Sequence, residues 1–210
     1  MGTGGVFITL EGADGCGKST QAELIACALE AAGKELVRLR EPGGTPISEK
    51  IRALLLDPAN AEMVPEAELM LYEASRAQLT REVIEPALAR GAVVLCDRYY
   101  DSTYAYQAGG RGLDDALVRR ANALGSCGRV PDRTLVFDLE PSVAYARATA
   151  GGADRMEAEG LAFQERVRAA YLRLAEQEPS RVRLVDASGE KDAVLARALD
   201  ALSDLVDACA

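Results

Sequence analysis

The sequence predicts an α/β chain: a five-stranded parallel sheet with helices on both faces. Short apolar runs recur from end to end, longer segments with helical spacing separate them, and the first run leads through a glycine-rich loop into a helix. Each run is too apolar for a half-exposed strand, so the sheet should be covered on both sides. With 210 residues, 49% of them hydrophobic and 27% charged, the chain is long enough to bury a substantial core. No internal repeat, low-complexity linker or composition break divides it, so residues 1–210 are read as one domain.

The elements follow in order. The first strand covers 6–10 and opens onto the loop, and a helix begins near Lys18. The second strand, 35–39, ends at the stretch REPGGT, after which helical spacing starts near Ile47 and again near Pro65. The third, 92–96, opens the stretch CDRYYDSTYAYQAGGRG, and a helix follows near Asp114. The fourth, 134–138, precedes helices near Pro141 and Ala158, and the fifth, 182–185, precedes one near Asp192. Between helical stretches, the segment at about 147–160 carries the pair Gly151–Gly152 and reads as a mobile flap or as an ordinary surface loop.

Composition excludes several classes of function. A formal net charge of −9 argues against a general nucleic-acid binder, though not against small phosphorylated ligands. Histidine is absent, which removes Ser-His-Asp and Cys-His catalysis and the usual zinc sites. The five cysteines, Cys16, Cys27, Cys96, Cys127 and Cys209, are widely spaced without a metal-ligand pattern and read as reduced thiols of a cytoplasmic protein. No signal peptide precedes the first strand and no apolar run is long enough to span a membrane.

Gly12-x-x-x-x-Gly17-Lys18-Ser19 is a complete phosphate-binding loop pattern between a predicted strand and a predicted helix. Its glycines let backbone N–H groups turn inward around a polyphosphate, and the helix adds its positive end. The cradle comprises Gly12, Ala13, Asp14, Gly15, Cys16, Gly17, Lys18, Ser19 and Thr20. Lys18 would reach the β- and γ-phosphates, and the Ser19 hydroxyl would face Mg²⁺. The loop therefore holds a nucleoside triphosphate, without fixing the chemistry. The only asparagines, Asn60 and Asn122, open no guanine-reading NKxD motif, which argues against a Ras-like switch.

Three stretches mark a second substrate. REPGGT falls at the carboxyl edge of the sheet, where such folds bind ligands. In MLYEASRAQL, Tyr72 and Arg76 lie four apart, on one helix face. CDRYYDSTYAYQAGGRG is dense in aromatic, hydroxyl, amide and arginine side chains. Alone, Tyr72 reads sooner as a core aromatic with Arg76 reaching outward, Asp97–Arg98 reads also as a salt bridge and Pro42–Gly44 as a turn. Brought to one sheet edge, they supply what a nucleobase and a phosphate monoester need.

These stretches together resemble the bacterial thymidylate kinases, through FITLEGADGCGKST, REPGGTP with Ile51–Arg52, LYEASR, DRYYDSTYAYQ, PDRTLVFDLEP, DRME and VDAS, almost end to end. The resemblance implies a three-layer P-loop nucleoside monophosphate kinase fold. It also implies Mg²⁺-dependent transfer of the ATP γ-phosphoryl to dTMP, giving dTDP and ADP, by a homodimer. On the matching positions, Tyr72 stacks on thymine, Arg76 bonds its carbonyl, and Thr103 and Gln107 read or flank the base. Tyr106 packs under the sugar, and Arg98 and Arg40 grip the acceptor phosphate. Asp14 lies near the acceptor sugar and phosphate, and Asp97 helps hold Mg²⁺ with Ser19.

One departure stands out. Some members carry a basic residue in the loop where this chain has Gly15, so the catalytic arginine is expected from the flap: Arg155 in DRME, or Arg147. Ala150 stands where some bacterial flaps have a further arginine. Lys18, Arg98, Arg155 and Asp14 thus form the expected catalytic set, acting by positioning and charge neutralisation. The alternatives are a kinase for another monophosphate or a deoxynucleoside, separated by Arg76 and Gln107, and a nucleotide-binding protein without catalysis.

Overall fold

Five strands, β1 (Val6–Glu11), β2 (Leu36–Arg40), β3 (Val93–Asp97), β4 (Arg133–Asp138) and β5 (Val182–Asp186), form one sheet in the order β2-β3-β1-β4-β5. Every neighbouring pair is parallel. The computed structural model describes residues 4–151 and 155–206; Gly152, of the predicted flap pair, and Cys209 fall outside them.

Alternation along the strands divides the core into layers. Ile8, Leu10, Val93, Leu95, Leu135 and Phe137 face α1 (Lys18–Ala31) and a later helix through Ile25, Leu29, Val194 and Ala198. Phe7, Val94 and Cys96 point the other way, onto Leu79, Ile84 and Tyr99. A third cluster packs Val136 and Val182 against Phe163, Val167 and Tyr171. The three inner strands, β3, β1 and β4, are buried on both faces by this arrangement, which is why they read as continuous apolar runs. The edge strands β2 and β5 instead keep residues such as Arg38 and Leu184 exposed, against the expectation of a sheet covered throughout.

The remaining helices follow in order. α2 (Pro46–Leu56) is capped by Thr45, whose hydroxyl accepts from Ser48 N at 3.2 Å, with Pro46 in its first turn. α3 (Pro65–Leu79) runs on through a π-helical turn, Thr80–Ile84, into α4 (Glu85–Ala89). α5 (Tyr100–Thr103) runs on through a second π-helical turn, Tyr104–Gly110. α6 (Asp115–Gly125), α7 (Pro141–Ala148), α8 (Leu161–Gln177), α9 (Lys191–Asp200) and α10 (Ser203–Val206) complete the chain.

The strands lie where the apolar runs place them. The α5 region is a helix that sequence spacing does not show, because its buried positions follow a π turn rather than the 3.6-residue repeat. Gly110 has no space for a side chain: a Cβ there would sit 2.5 Å from the Phe163 ring of α8. Of the flap, the described part forms short 3₁₀ turns at Thr149–Gly151 and Glu157–Glu159. No helix among the described residues is long and apolar enough to cross a membrane.

Candidate functional site

Parallel register brings the ends of β1, β2 and β3 to one edge, since Leu10 pairs with Asp97 and Asp97 with Arg40. The strand order turns about β1, and a crevice at the carboxyl ends beside such a turn is where open α/β sheets bind ligands. Two cavities open there. One, about 960 Å³ with its mouth, follows the glycine loop through Asp14, Gly15, Gly17, Lys18 and Ser19 to Arg40 and Asp97. The other, about 580 Å³ with its mouth, is lined by Tyr72, Arg76, Thr103, Tyr106 and Gln107 among others. Asp14, Glu41, Arg52 and Arg98 line both.

In the loop, Gly17 takes φ 93° immediately before α1, a left-handed conformation that glycine adopts without a Cβ penalty. Lys18 is buried and bends back across the loop, its Nζ donating to Gly12 O at 3.0 Å and Ala13 O at 2.9 Å. The geometry also explains why Gly15 carries no basic side chain. A Cβ at Gly15 would lie 2.0 Å from Ala144 O, because α7 packs its backbone onto the loop, and φ is +79°.

Ser19 Oγ donates to Asp97 Oδ2 at 3.1 Å, while Asp97 Oδ1 is buried without a hydrogen-bond partner. A hydroxyl beside an unsatisfied carboxylate oxygen suits a hard cation. Among the described residues no group of three or more acidic or thiol side chains forms a metal cage. The pair therefore fits Mg²⁺ that takes its other oxygens from phosphate and water, as Mg²⁺ usually does.

Arg98 sits where the cavities meet. Its φ of 69° is unusual for a residue with a side chain, and its backbone N–H is held by Leu10 O at 2.9 Å. One guanidinium nitrogen donates to Gly12 O at 3.0 Å and to Ser102 Oγ at 3.1 Å, and another pairs with Asp14. The fork also lies 5.1 Å from the Tyr106 ring centre. Tyr106 in turn donates its hydroxyl to Asp14 Oδ2 at 2.8 Å. Burial pushes the Asp14 carboxyl up, but Arg98, Lys18 and the Tyr106 hydrogen bond outweigh it and hold it below its ordinary range.

Arg76 is almost fully buried. Its Nε donates to Glu41 at 2.9 Å, its Nη2 to Thr103 Oγ1 at 2.8 Å, and its Nη1 lies 2.7 Å from Glu73, without the alignment of a hydrogen bond. Two buried carboxylates thus share one guanidinium. Burial, with Glu73 opposing the pull of Arg76, pushes Glu41 up to about 8. Tyr72 lines the same cavity, and burial raises its phenol above the ordinary value, so it stays neutral.

Two expected arginines are engaged by other partners. Arg40 lines the larger cavity, yet its fork is engaged with Glu49 at 2.9 Å and Pro42 O at 2.9 Å. Arg155 is buried against α2 and α3, donating to Leu55 O at 2.7 Å and pairing with Glu68 at 2.6 Å. Arg147 is exposed at the end of α7.

Sequence reasoning missed four residues of this region. Arg52 donates to Pro42 O at 2.9 Å and lines both cavities; the Ile51–Arg52 pair was its only signal. Glu41 belongs to REPGGT, a stretch whose turn residues mark the right edge of the sheet but not this carboxylate. Glu68 is fully buried under Gln107. Glu11, at the end of β1, is fully buried and accepts from Tyr99 N at 2.7 Å, Tyr171 OH at 2.8 Å and the Ser102 hydroxyl. Burial and then Asp101 raise Glu11 to about 7.

Both raised carboxyls bear on stability. From their ordinary 4.5 up to about 7 for Glu11 and about 8 for Glu41, the folded chain binds protons that the unfolded chain has released. Stability contributed by these groups is therefore full below 4.5, falls as pH rises through that window, and is flat above it. Thermal melting across the window should show this decline, and Glu11→Gln should make it shallower; an unchanged slope would contradict the assignment.

Known proteins are similar to this chain in sequence and in fold. The sequence model of the family described as thymidylate kinase matches residues 10–198. A thymidylate kinase of Pseudomonas putida (strain GB-1) is 51% identical over 207 residues, covering 98% of each chain. One from Trichlorobacter lovleyi is 48% identical over 208 residues, 96% of each. The crystal structure of thymidylate kinase from Ehrlichia chaffeensis superposes with a TM-score of 0.77 at 31% identity, covering 95% of this chain and 99% of that one.

Proposed function

The chain belongs to the thymidylate kinase family, and from that premise we propose how its residues carry phosphoryl transfer from ATP to dTMP. The observation that carries the reading is the pair of cavities walled jointly by Asp14, Glu41, Arg52 and Arg98. One has the loop for a triphosphate and the other an aromatic, amide and arginine lining for a nucleobase. A group passed between them crosses that shared wall.

In this reading the backbone N–H groups of Gly12–Thr20 and Lys18 hold the ATP phosphates. Tyr72, Arg76, Thr103, Tyr106 and Gln107 bind dTMP, with Arg98 and Arg40 on its phosphate. Asp14 keeps the Arg98 fork at the junction. Ser19 and Asp97 would hold Mg²⁺, which when bound neutralises charge on the transferring phosphates. The acceptor phosphate oxygen is already ionised at neutral pH, so no strong base is needed, in keeping with the absence of histidine. In-line positioning and charge neutralisation carry the step.

The flap arginine is Arg155 or Arg147. Arg155 must leave Glu68 to meet the γ-phosphate, whereas Arg147 is already in solvent. The reading also places the chain in the cytoplasm, in keeping with the free thiols Cys16, Cys27, Cys96 and Cys127.

The homodimer belongs to the same reading. α3 packs between α2 and α6, and all three present exposed apolar side chains: Ile47, Leu54, Met70 at 65%, Leu117 and Leu124 at 80%. Such a patch is what a partner copy would cover. Sedimentation at micromolar concentration should give twice the mass of the chain; a monomer would refute it.

ADP release from ATP–Mg²⁺, measured with dTMP, dUMP, dCMP and dGMP in turn, tests the function. Turnover should be strong with dTMP and weak with the others, and silence with dTMP would overturn the reading. Arg76→Ala should raise the KM for dTMP while leaving that for ATP nearly unchanged. Equal losses for both substrates would make Arg76 structural.

A further inference from the structure

Gln107 lies on the π-helical turn at the wall of the smaller cavity and is 1% exposed. A primary amide there presents either two N–H donors or a carbonyl acceptor, and the two choices select opposite base edges. Beneath it is Glu68 of α3, 0% exposed, whose Oε1 lies 2.8 Å from Gln107 Nε2. The same carboxylate receives Arg111 Nε at 3.1 Å and Arg111 Nη2 at 3.0 Å, and pairs with Arg155 at 2.6 Å. Burial works against its charge, but hydrogen bonds from Arg111 and Gln107 and the charges of both arginines hold it below the ordinary carboxylate range.

An ionised carboxylate only accepts hydrogen bonds. The amide must therefore turn its NH₂ toward Glu68, since the reverse orientation sets two acceptor oxygens against each other in a buried site. Its carbonyl is then left for the cavity.

We propose that Glu68 is a positioning residue for base selection: by fixing the polarity of the Gln107 amide, it makes the cavity wall an acceptor and selects a pyrimidine edge bearing N–H. Thymine and uracil carry a hydrogen on N3. Cytosine carries a lone pair there and would meet the carbonyl acceptor to acceptor. The inference rests on the smaller cavity being the dTMP site. It adds a residue that touches no substrate, acts through Gln107 and is itself held ionised by Arg111 and Arg155.

The test compares kcat/KM for dTMP and dCMP in wild type, Glu68→Gln, Glu68→Asp, Gln107→Leu and the double variant E68Q/Q107L. A neutral amide at position 68 both donates and accepts, so Gln107 is free to turn over. E68Q is expected to lower the dTMP-to-dCMP ratio by about tenfold or more, the scale of one hydrogen bond mismatched in a buried site. E68D, which withdraws the carboxylate by one methylene, should lower it as well. In the Q107L background E68Q should leave the ratio unmoved.

A folded E68Q enzyme with the wild-type ratio would overturn the proposal, as would an equal change with Gln107 absent. Failure of both Glu68 variants to fold would assign the residue to core stability and overturn it too. Wild type inert toward dTMP would instead refute the function itself, and so the two failures are distinguishable.

Discussion

Lys18→Ala is expected to abolish phosphoryl transfer, lowering kcat by ~10³-fold or more, the scale of removing a preorganised charge from a transition state. Lys18 opens α1, where alanine is the better helix former, so the helix itself loses nothing. What is lost is a buried ammonium, 7% exposed, that ties Gly12 O and Ala13 O together across the loop. Those carbonyls would lose their donor, and the loop would lose its positive charge against the phosphates. Circular dichroism should report a folded protein, and single-turnover transfer from ATP to dTMP should vanish. Turnover within about tenfold of wild type would remove the loop lysine from the chemistry.

How much of this was legible before folding depends on the range of the interaction. Apolar spacing predicts β1 over 6–10, and it runs Val6–Glu11; it predicts β4 over 134–138, which runs Arg133–Asp138. Apolar runs between breakers are local signals and survive into the fold. The glycine loop was legible because its chemistry is carried by consecutive residues. The carboxylates that organise the site were not. Glu11 ends an apolar run and Glu68 sits among leucines, positions that look like ordinary strand and helix residues. Their roles come from partners distant in sequence: Tyr171 for Glu11, and Arg111 and Arg155 for Glu68. No periodicity encodes such meetings. The π turn at Tyr104–Gly110 escaped for a related reason, since Gly109 answers to Ala170 and Gly110 to the Phe163 ring, both on α8, rather than to a local turn.

The same long-range character makes Arg98 the second severe site. Arg98→Ala is expected to lower kcat/KM for dTMP by ~10³-fold, equivalent to about 4 kcal/mol of transition-state stabilisation. The backbone does not confuse the result. Alanine at φ 69° meets the same left-handed crowding as arginine, so that cost is present before and after the change. The loss is one fork serving Gly12 O, Ser102 Oγ and Asp14 together, at the wall common to both cavities. Asp14 would keep the Tyr106 hydrogen bond and the field of Lys18 but lose its strongest counter-charge, and its carboxyl would rise toward the ordinary range. ATP affinity, set mainly by loop amides and Lys18, should change far less than dTMP turnover. Arg98→Lys separates charge from geometry: a point charge cannot span those three partners, so it should recover only part of the rate. Full recovery by lysine would show that charge alone suffices at this junction. A loss below tenfold in the alanine enzyme would place the transferring group elsewhere.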